Sequence, residues 1–193
     1  MTNTLQYILE AALLTSSEPL SLDRLQNLFE ENAAPSKAEL KAALHALNAS
    51  CFERSYFVKE VASGYCLQVK EQYTTWVARL SMEKPARYSR ALLETLVIIA
   101  YRQPVTRAEI EDIRGVAVSS QIIKNLLERE WVRVVGHREI PGRPSLYATT
   151  AAFLDYFNLK TLSELPPLLD LHPLPLNMPL AESLEAALRS AAC

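Results

Sequence analysis

The stretch from Ser89 to Thr149, SRALLETLVIIAYRQPVTRAEIEDIRGVAVSSQIIKNLLEREWVRVVGHREIPGRPSLYATT, holds three helical patterns followed by two strand-like runs around a Pro-Gly turn. Arg90 to Tyr101 is apolar almost all round through Leu92, Leu93, Leu96, Val97, Ile98 and Ile99. That is the pattern of a helix buried on most of its faces, and Pro104 ends it. Thr106 with Glu109 three residues on forms a capping box for a second helix, which Gly115 closes. Ser119 and Ser120 precede a third, whose Ile122, Ile123, Leu126 and Leu127 share one face. Trp131 to Val135 is rich in β-formers, Pro141 and Gly142 turn the chain, and Leu146 to Thr149 returns as the partner strand. Three helices and then a hairpin is the order of a winged-helix domain.

The same layout recurs nearer the N-terminus. Pro19-Leu20-Ser21 followed by Leu25 aligns with Pro104-Val105-Thr106 followed by Ile110 at a constant offset. Ahead of it, Leu5, Ile8, Leu9, Ala12 and Leu13 form an apolar helical stripe. Ser21 starts a second helix with Leu22, Leu25 and Leu28, and Ser36 with Glu39 makes another capping box before Leu40, Ala43, Leu44 and Leu47. Phe57 to Ala62 and Tyr65 to Val69 then read as a hairpin around Ser63 and Gly64. The expected fold is mainly α with small β-hairpins, arranged as tandem winged-helix domains over residues 1–85 and 86–165. A short helix from Tyr73 to Leu80, with Trp76, leads to the connection near Lys84 and Pro85. Phe153, Leu154, Tyr156 and Phe157 form a cluster expected to pack on the second wing, and residues 166–193 form a tail. Pro166, Pro167, Pro173, Pro175 and Pro179 favour extended backbone there, and Ala181 to Ala192 has the pattern of a weak terminal helix.

Known catalytic patterns are missing. The four glycines, Gly64, Gly115, Gly136 and Gly142, all fall in predicted turns, so neither a phosphate-binding loop nor a dinucleotide fingerprint can be written, and no cofactor is expected. His45, His137 and His172 are scattered without metal-ligand spacing. Glu109, Glu111 and Asp112 cluster at a capped helix start, where carboxylates suit the positive end of the dipole better than they suit general-acid chemistry. Cys51, Cys66 and Cys193 are odd in number and lack redox spacing, which suits reduced thiols in a cytosolic chain. No secretion signal and no apolar run near the ~20 residues needed to span a bilayer is present. A non-enzyme is expected.

Charge bears on the next class, a winged-helix DNA-binding regulator. The whole chain carries −2, but residues 84–150 hold eleven Lys or Arg against seven Asp or Glu. A winged helix that reads duplex places its third helix in the major groove and its wing on the backbone. Lys124 and Arg129 on the third helix are offset by Glu128 and Glu130, which weakens the field that phosphate would favour. The wing is better supplied, and Arg133, Arg138 and Arg143 are candidate contacts to DNA backbone beside His137.

The segments IAYRQPVTRAEIEDIRG, LLERE, VVGHREIPGRPSLYATT and FLDYFNLKTLSELPPL occur in an order that resembles the bacterial family of segregation and condensation protein B, ScpB. The resemblance is strong from Ser89 to Leu168, and weaker though compatible in length and layout from the N-terminus to Pro85. Two features depart from the family pattern: Glu130 stands where a glycine is expected after the third helix, and Val116 to Gln121 differs from the commoner form.

The resemblance implies a homodimer formed through the first domain, with the second binding the kleisin ScpA and, through it, the Smc ATPase. It also implies work in chromosome condensation and segregation, in the cytoplasm at the nucleoid, with no membrane and only weak or indirect DNA contact. Candidate partner contacts are Leu5, Ile8 and Leu9, as a terminal helical stripe that serves core or interface, and Tyr101, Arg102 and Gln103 at a helix end. Tyr and Arg are enriched at interface hot spots, although a Tyr packed on the core and an Arg capping carbonyls fit that position equally. Arg143 lies in the family pattern IPGRPxLY, spanning Ile140 to Tyr147, and is the last candidate.

Overall fold

Each half of the chain closes a small three-helix core against a hairpin. A computed structural model describes residues 2–30, 32–80 and 88–166. The chain divides into two compact units, Met1–Lys84 and Pro85–Cys193.

In the first unit, α1 (Thr2–Thr15), α2 (Leu22–Gln26) and α3 (Lys37–Ser50) precede the antiparallel strands β1 (Tyr56–Val61) and β2 (Gly64–Val69). Ser21 caps α2 by accepting from the Arg24 amide, and Ser36 and Glu39 close both arms of a capping box on α3. Leu9, Leu13, Leu25, Leu40, Leu44, Leu47, Val58 and Tyr65 are buried together as the core. Leu20 and Tyr65 exchange two backbone hydrogen bonds of 2.9 Å, which adds a one-residue third strand to the hairpin. A further helix, α4 (Glu71–Val77), follows β2 and buries none of its residues.

The second unit repeats this plan at larger scale. Here α5 (Arg90–Arg102), β3 (Val105–Thr106), α6 (Arg107–Arg114), α7 (Ser120–Glu128), β4 (Val132–His137) and β5 (Ser145–Thr149) give a three-stranded sheet in the order β3-β5-β4. The repeat now has a structural meaning. Val105 pairs with Tyr147 as Leu20 does with Tyr65, and the next residue, Thr106 or Ser21, caps the following helix in both units. Leu92, Leu96, Ile99, Ile110, Val118, Leu126 and Trp131 form the core.

Gly115 ends α6 with φ 69°, as a left-handed C-cap should. In the wing, Pro141 and Gly142 (φ 86°) occupy the centre of a turn closed by Arg143 N–H donating to Ile140 C=O at 2.9 Å, a type II arrangement. Finally α8 (Ala151–Tyr156), capped by Thr150, and a 3-10 turn (Leu162–Glu164) close the unit. The expected aromatic cluster forms, but at the root of the hairpin rather than on the wing. Tyr156 and Phe157 lie 4.6 and 5.4 Å from the Trp131 ring, which is held in the core where β4 begins, and Phe153 is itself buried. The tail expectations lie outside the described residues beyond Pro166.

Glu130 shows how the chain manages without the expected glycine. It adopts φ 57°, while its own amide bonds Leu127 C=O at 2.9 Å, Trp131 N–H bonds Leu126 C=O at 3.1 Å, and the Thr150 hydroxyl donates to its carbonyl. A left-handed residue with a Cβ costs about 1–2 kcal/mol, of which glycine's greater unfolded-state freedom returns roughly 0.5–1. Glu130→Gly is therefore expected to stabilise the second unit by about 0.5–1 kcal/mol, read as a raised midpoint in urea; a lowered midpoint contradicts the argument.

Candidate interaction surfaces

Apolar surface left open by the folding of each unit marks where a partner would gain most. On α4, Tyr73, Trp76 and Val77 recur at helical spacing, and Leu80 completes the row in the next turn. All four are exposed, Trp76 by 64% and Leu80 by 83%, so the row faces solvent with no core beneath it. Phe52 is a further exposed aromatic of this unit. The spacing was legible in the sequence, but a row of this kind is ordinarily a core stripe, and only the structure separates the two cases.

The three candidates on α1 do not share a role. Leu9 is 0% exposed within the core it shares with Leu40, Leu44 and Leu47 of α3, so it is corrected from partner contact to core residue, out of a partner's reach. Ile8 is 39% exposed, and Tyr7 and Leu14 of the same helix also face solvent. Leu5 is half-buried and lines a groove of about 290 Å³ with Gln6, Pro35, Glu39, Ala42, Ala43 and Ala46.

The candidates at the end of α5 also part company. Gln103 turns its side chain inward. Its carbonyl oxygen accepts from the Thr149 amide at 2.6 Å and the Thr149 hydroxyl at 3.0 Å, and its amide donates to Ala100 C=O. It thereby ties α5 to β5 and is committed to the fold. Tyr101 is half-buried against the core and donates its hydroxyl to Pro166 C=O. Burial pushes its phenol pKa up, which keeps that donor protonated. Arg102 is exposed on the rim of a cleft of about 460 Å³, lined also by Pro104, Val105, Glu109, Asp112, Ile113 and Arg138.

Pairing removes much of the charge that a duplex would need. Lys124 faces Glu128 at 3.6 Å on α7, and Arg138 is paired with Glu109. Arg129 lies over the Tyr88 and Trp131 rings at 4.9 and 5.4 Å, packing that its position in the sequence gave no sign of. Arg133 and Arg143 stay exposed on the wing without an ion pair among the described residues. No group of three His, Cys, Asp or Glu side chains able to hold a metal ion occurs among the described residues. No helix among them is long and apolar enough to cross a membrane.

The clustered carboxylates are structural. The Glu109 carboxyl accepts from the Thr106 amide and pairs with Arg138, which together hold its pKa below the ordinary value. Glu111 is held low by the Val118 amide at 2.9 Å and by Arg107 at 3.0 Å. For Glu94, burial alone would raise the pKa, but Arg90 and Arg114 hold it down. Groups depressed in the folded state contribute stability above their unfolded pKa and lose it as pH falls through the folded one. The second unit is therefore expected to keep a constant urea midpoint above about pH 5 and to lose it progressively below about pH 4.5. Glu111→Gln should flatten that fall, and a midpoint indifferent to acid contradicts the assignment.

The family described as segregation and condensation complex subunit ScpB matches residues 7–168. The segregation and condensation protein B homolog of Coxiella burnetii is 57% identical over 163 residues, covering 84% of this chain and 78% of the relative. Segregation and condensation protein B of Symbiobacterium thermophilum is 46% identical over 163 residues, covering 83% and 72%. Among solved structures, ScpB from Mycobacterium tuberculosis is 28% identical, with 82% of this chain and 98% of that one covered at a TM-score of 0.38. A dimer of ScpB N-terminal domain complexed with ScpA peptide is 26% identical, with 41% and 96% covered at a TM-score of 0.36.

Proposed function

The chain belongs to the family of segregation and condensation complex subunit ScpB, and from that premise we propose that it is a non-enzymatic homodimer that binds the kleisin ScpA. The kleisin in turn joins it to the Smc ATPase, and the complex acts in the cytoplasm on the nucleoid. The first unit dimerises and the second receives the kleisin. The observation that carries this reading is the unpartnered row Tyr73, Trp76, Val77 and Leu80, a surface that a second copy can bury in an isologous contact. Ile8 and Leu5 on α1 form a further contact surface of the same unit. In the second unit, the exposed Arg102 beside apolar Pro104 and Ile113 offers a mixed surface suited to a peptide.

Mixing the chain with the kleisin of the same genome tests this directly. Burial of apolar surface resists salt, whereas attraction between exposed charges is screened beyond about 3 Å at 1 M. Calorimetric titration in high salt is expected to retain binding; no heat and no complex at any salt contradicts the reading. The DNA-binding alternative draws on Arg133 and Arg143 alone, because Arg138 is paired. Arg143→Glu is expected to leave the dimer intact. A steep, salt-dependent loss of duplex retention in that variant would favour the alternative.

A further inference from the structure

The first unit carries two unfilled apolar features, the row on α4 and the groove between α1 and α3. Leu5, Ala42 and Ala46 line that groove of about 290 Å³, with Glu39 beside them. Ala42 is exposed, and α4 buries none of its residues, so the helix does not lie in the groove of its own chain. The two features sit at opposite ends of α3. The Lys70 ammonium, at the start of α4, donates to Cys51 C=O at 3.1 Å and Phe52 C=O at 2.5 Å, which roots α4 at the C-terminal end of α3. The groove lies along the N-terminal half of α3, and the nine residues from Ala42 to Cys51 span about 14 Å of helix.

Area and charge choose the occupant. The exposed parts of Tyr73, Trp76, Val77 and Leu80 come to roughly 400 Å², about half of the ~800 Å² that each partner buries in a standard interface. Stacking the row on its own copy across a two-fold axis therefore falls short of a stable dimer. A reciprocal fit, row into groove twice, covers both surfaces of each copy. Arg79, three residues beyond Trp76, is exposed and has no ion pair among the described residues. Glu39 Oε2 accepts from the Ser36 hydroxyl at 2.7 Å and the Ser36 amide at 2.8 Å, which hold the carboxyl below its ordinary pKa and leave Oε1 open to a cation.

Building on the homodimer reading, we propose that α4 of each copy fills the α1–α3 groove of the other, with Trp76 over Ala42 and Ala46 and Arg79 opposite Glu39. The two-fold axis sets the two α3 helices antiparallel. That arrangement brings the C-terminal end of one α3, where α4 is rooted, beside the N-terminal half of the other, where the groove lies. The indole is the anchor of each contact, and the charge pair at the rim fixes its direction.

Sedimentation equilibrium of full-length variants tests the pairing. Ala42→Glu places a carboxylate in the groove at an exposed position, so its dichroism should match the parent while its dimer Kd rises by at least about 100-fold. Mixing Ala42→Glu with Trp76→Glu should restore dimers at concentrations where each variant alone is a monomer, because the mixed pair keeps one intact row and one intact groove. Glu39→Gln retains the capping box, and in that background Arg79→Ala should lose its own effect on Kd, about two- to fivefold in the parent. An Ala42→Glu chain that dimerises like the parent overturns the proposal and leaves the dimer to another face. A mixture as monomeric as its components also overturns it. A parent chain that is itself a monomer removes the homodimer reading along with it.

Discussion

Gly64→Ala is expected to destabilise the first unit by about 3–5 kcal/mol, near the upper limit for a single substitution. Gly64 sits at φ 150°, where a Cβ would lie 2.3 Å from Leu20 O, 2.4 Å from Leu20 C and 2.6 Å from Ser21 N. These are backbone atoms, so no side chain can swing aside. Relief requires Leu20 to move away from Tyr65, breaking two hydrogen bonds of 2.9 Å, each worth roughly 1 kcal/mol net. It also draws buried Leu20 and the Ser21 cap of α2 out of place, on top of about 1–3 kcal/mol of backbone strain. Gly142 provides the control. Its φ is 86° but a Cβ there meets nothing within 4 Å, so Gly142→Ala carries the strain alone. Denaturant unfolding followed by circular dichroism should show the first unit shifted in Gly64→Ala. In a Trp76→Phe background, fluorescence of buried Trp131, then the sole tryptophan, should report the second unit unchanged. An unshifted first unit contradicts the account.

The other large effect is on assembly. Trp76 is 64% exposed on a helix that buries nothing, so Trp76→Glu should change the stability of one chain by no more than about 0.5 kcal/mol. In a two-fold interface the same residue contributes twice. At about 2 kcal/mol per tryptophan hot spot the loss is about 4 kcal/mol, close to 1,000-fold in Kd. Sedimentation should therefore show a monomer with an unchanged dichroism spectrum. Ile8→Glu should weaken the dimer less, since Ile8 is smaller and only 39% exposed. A Trp76→Glu chain that dimerises like the parent removes α4 from the interface.

The helices and hairpins could be read from the sequence because local chemistry and core pattern agree at each of them. Thr106 with Glu109 and Ser36 with Glu39 form both arms of their capping boxes, and Gly115 takes the left-handed cap. The Leu20 and Val105 repeat marked matching positions, but their common role, pairing with the second hairpin strand, needed coordinates because it joins residues more than 40 apart. The surfaces were harder for the same reason. Leu9 and Ile8 are neighbours on an apolar stripe, and only packing against α3 decides that one is core and the other open. Gln103 looked like a surface residue at a helix end, yet its amide is used by Thr149 on a distant strand. Arg129 and Arg138 count as charge in the sequence, whereas ring packing and Glu109 engage them in the fold.

Light scattering on a size-exclusion column tests the homodimer and its complex with the kleisin most directly. In moderate salt, the chain alone should run at twice the 21.6 kDa of one copy and move to a larger, stable complex when its kleisin is added. A mass of one chain that the kleisin leaves unchanged would contradict the account.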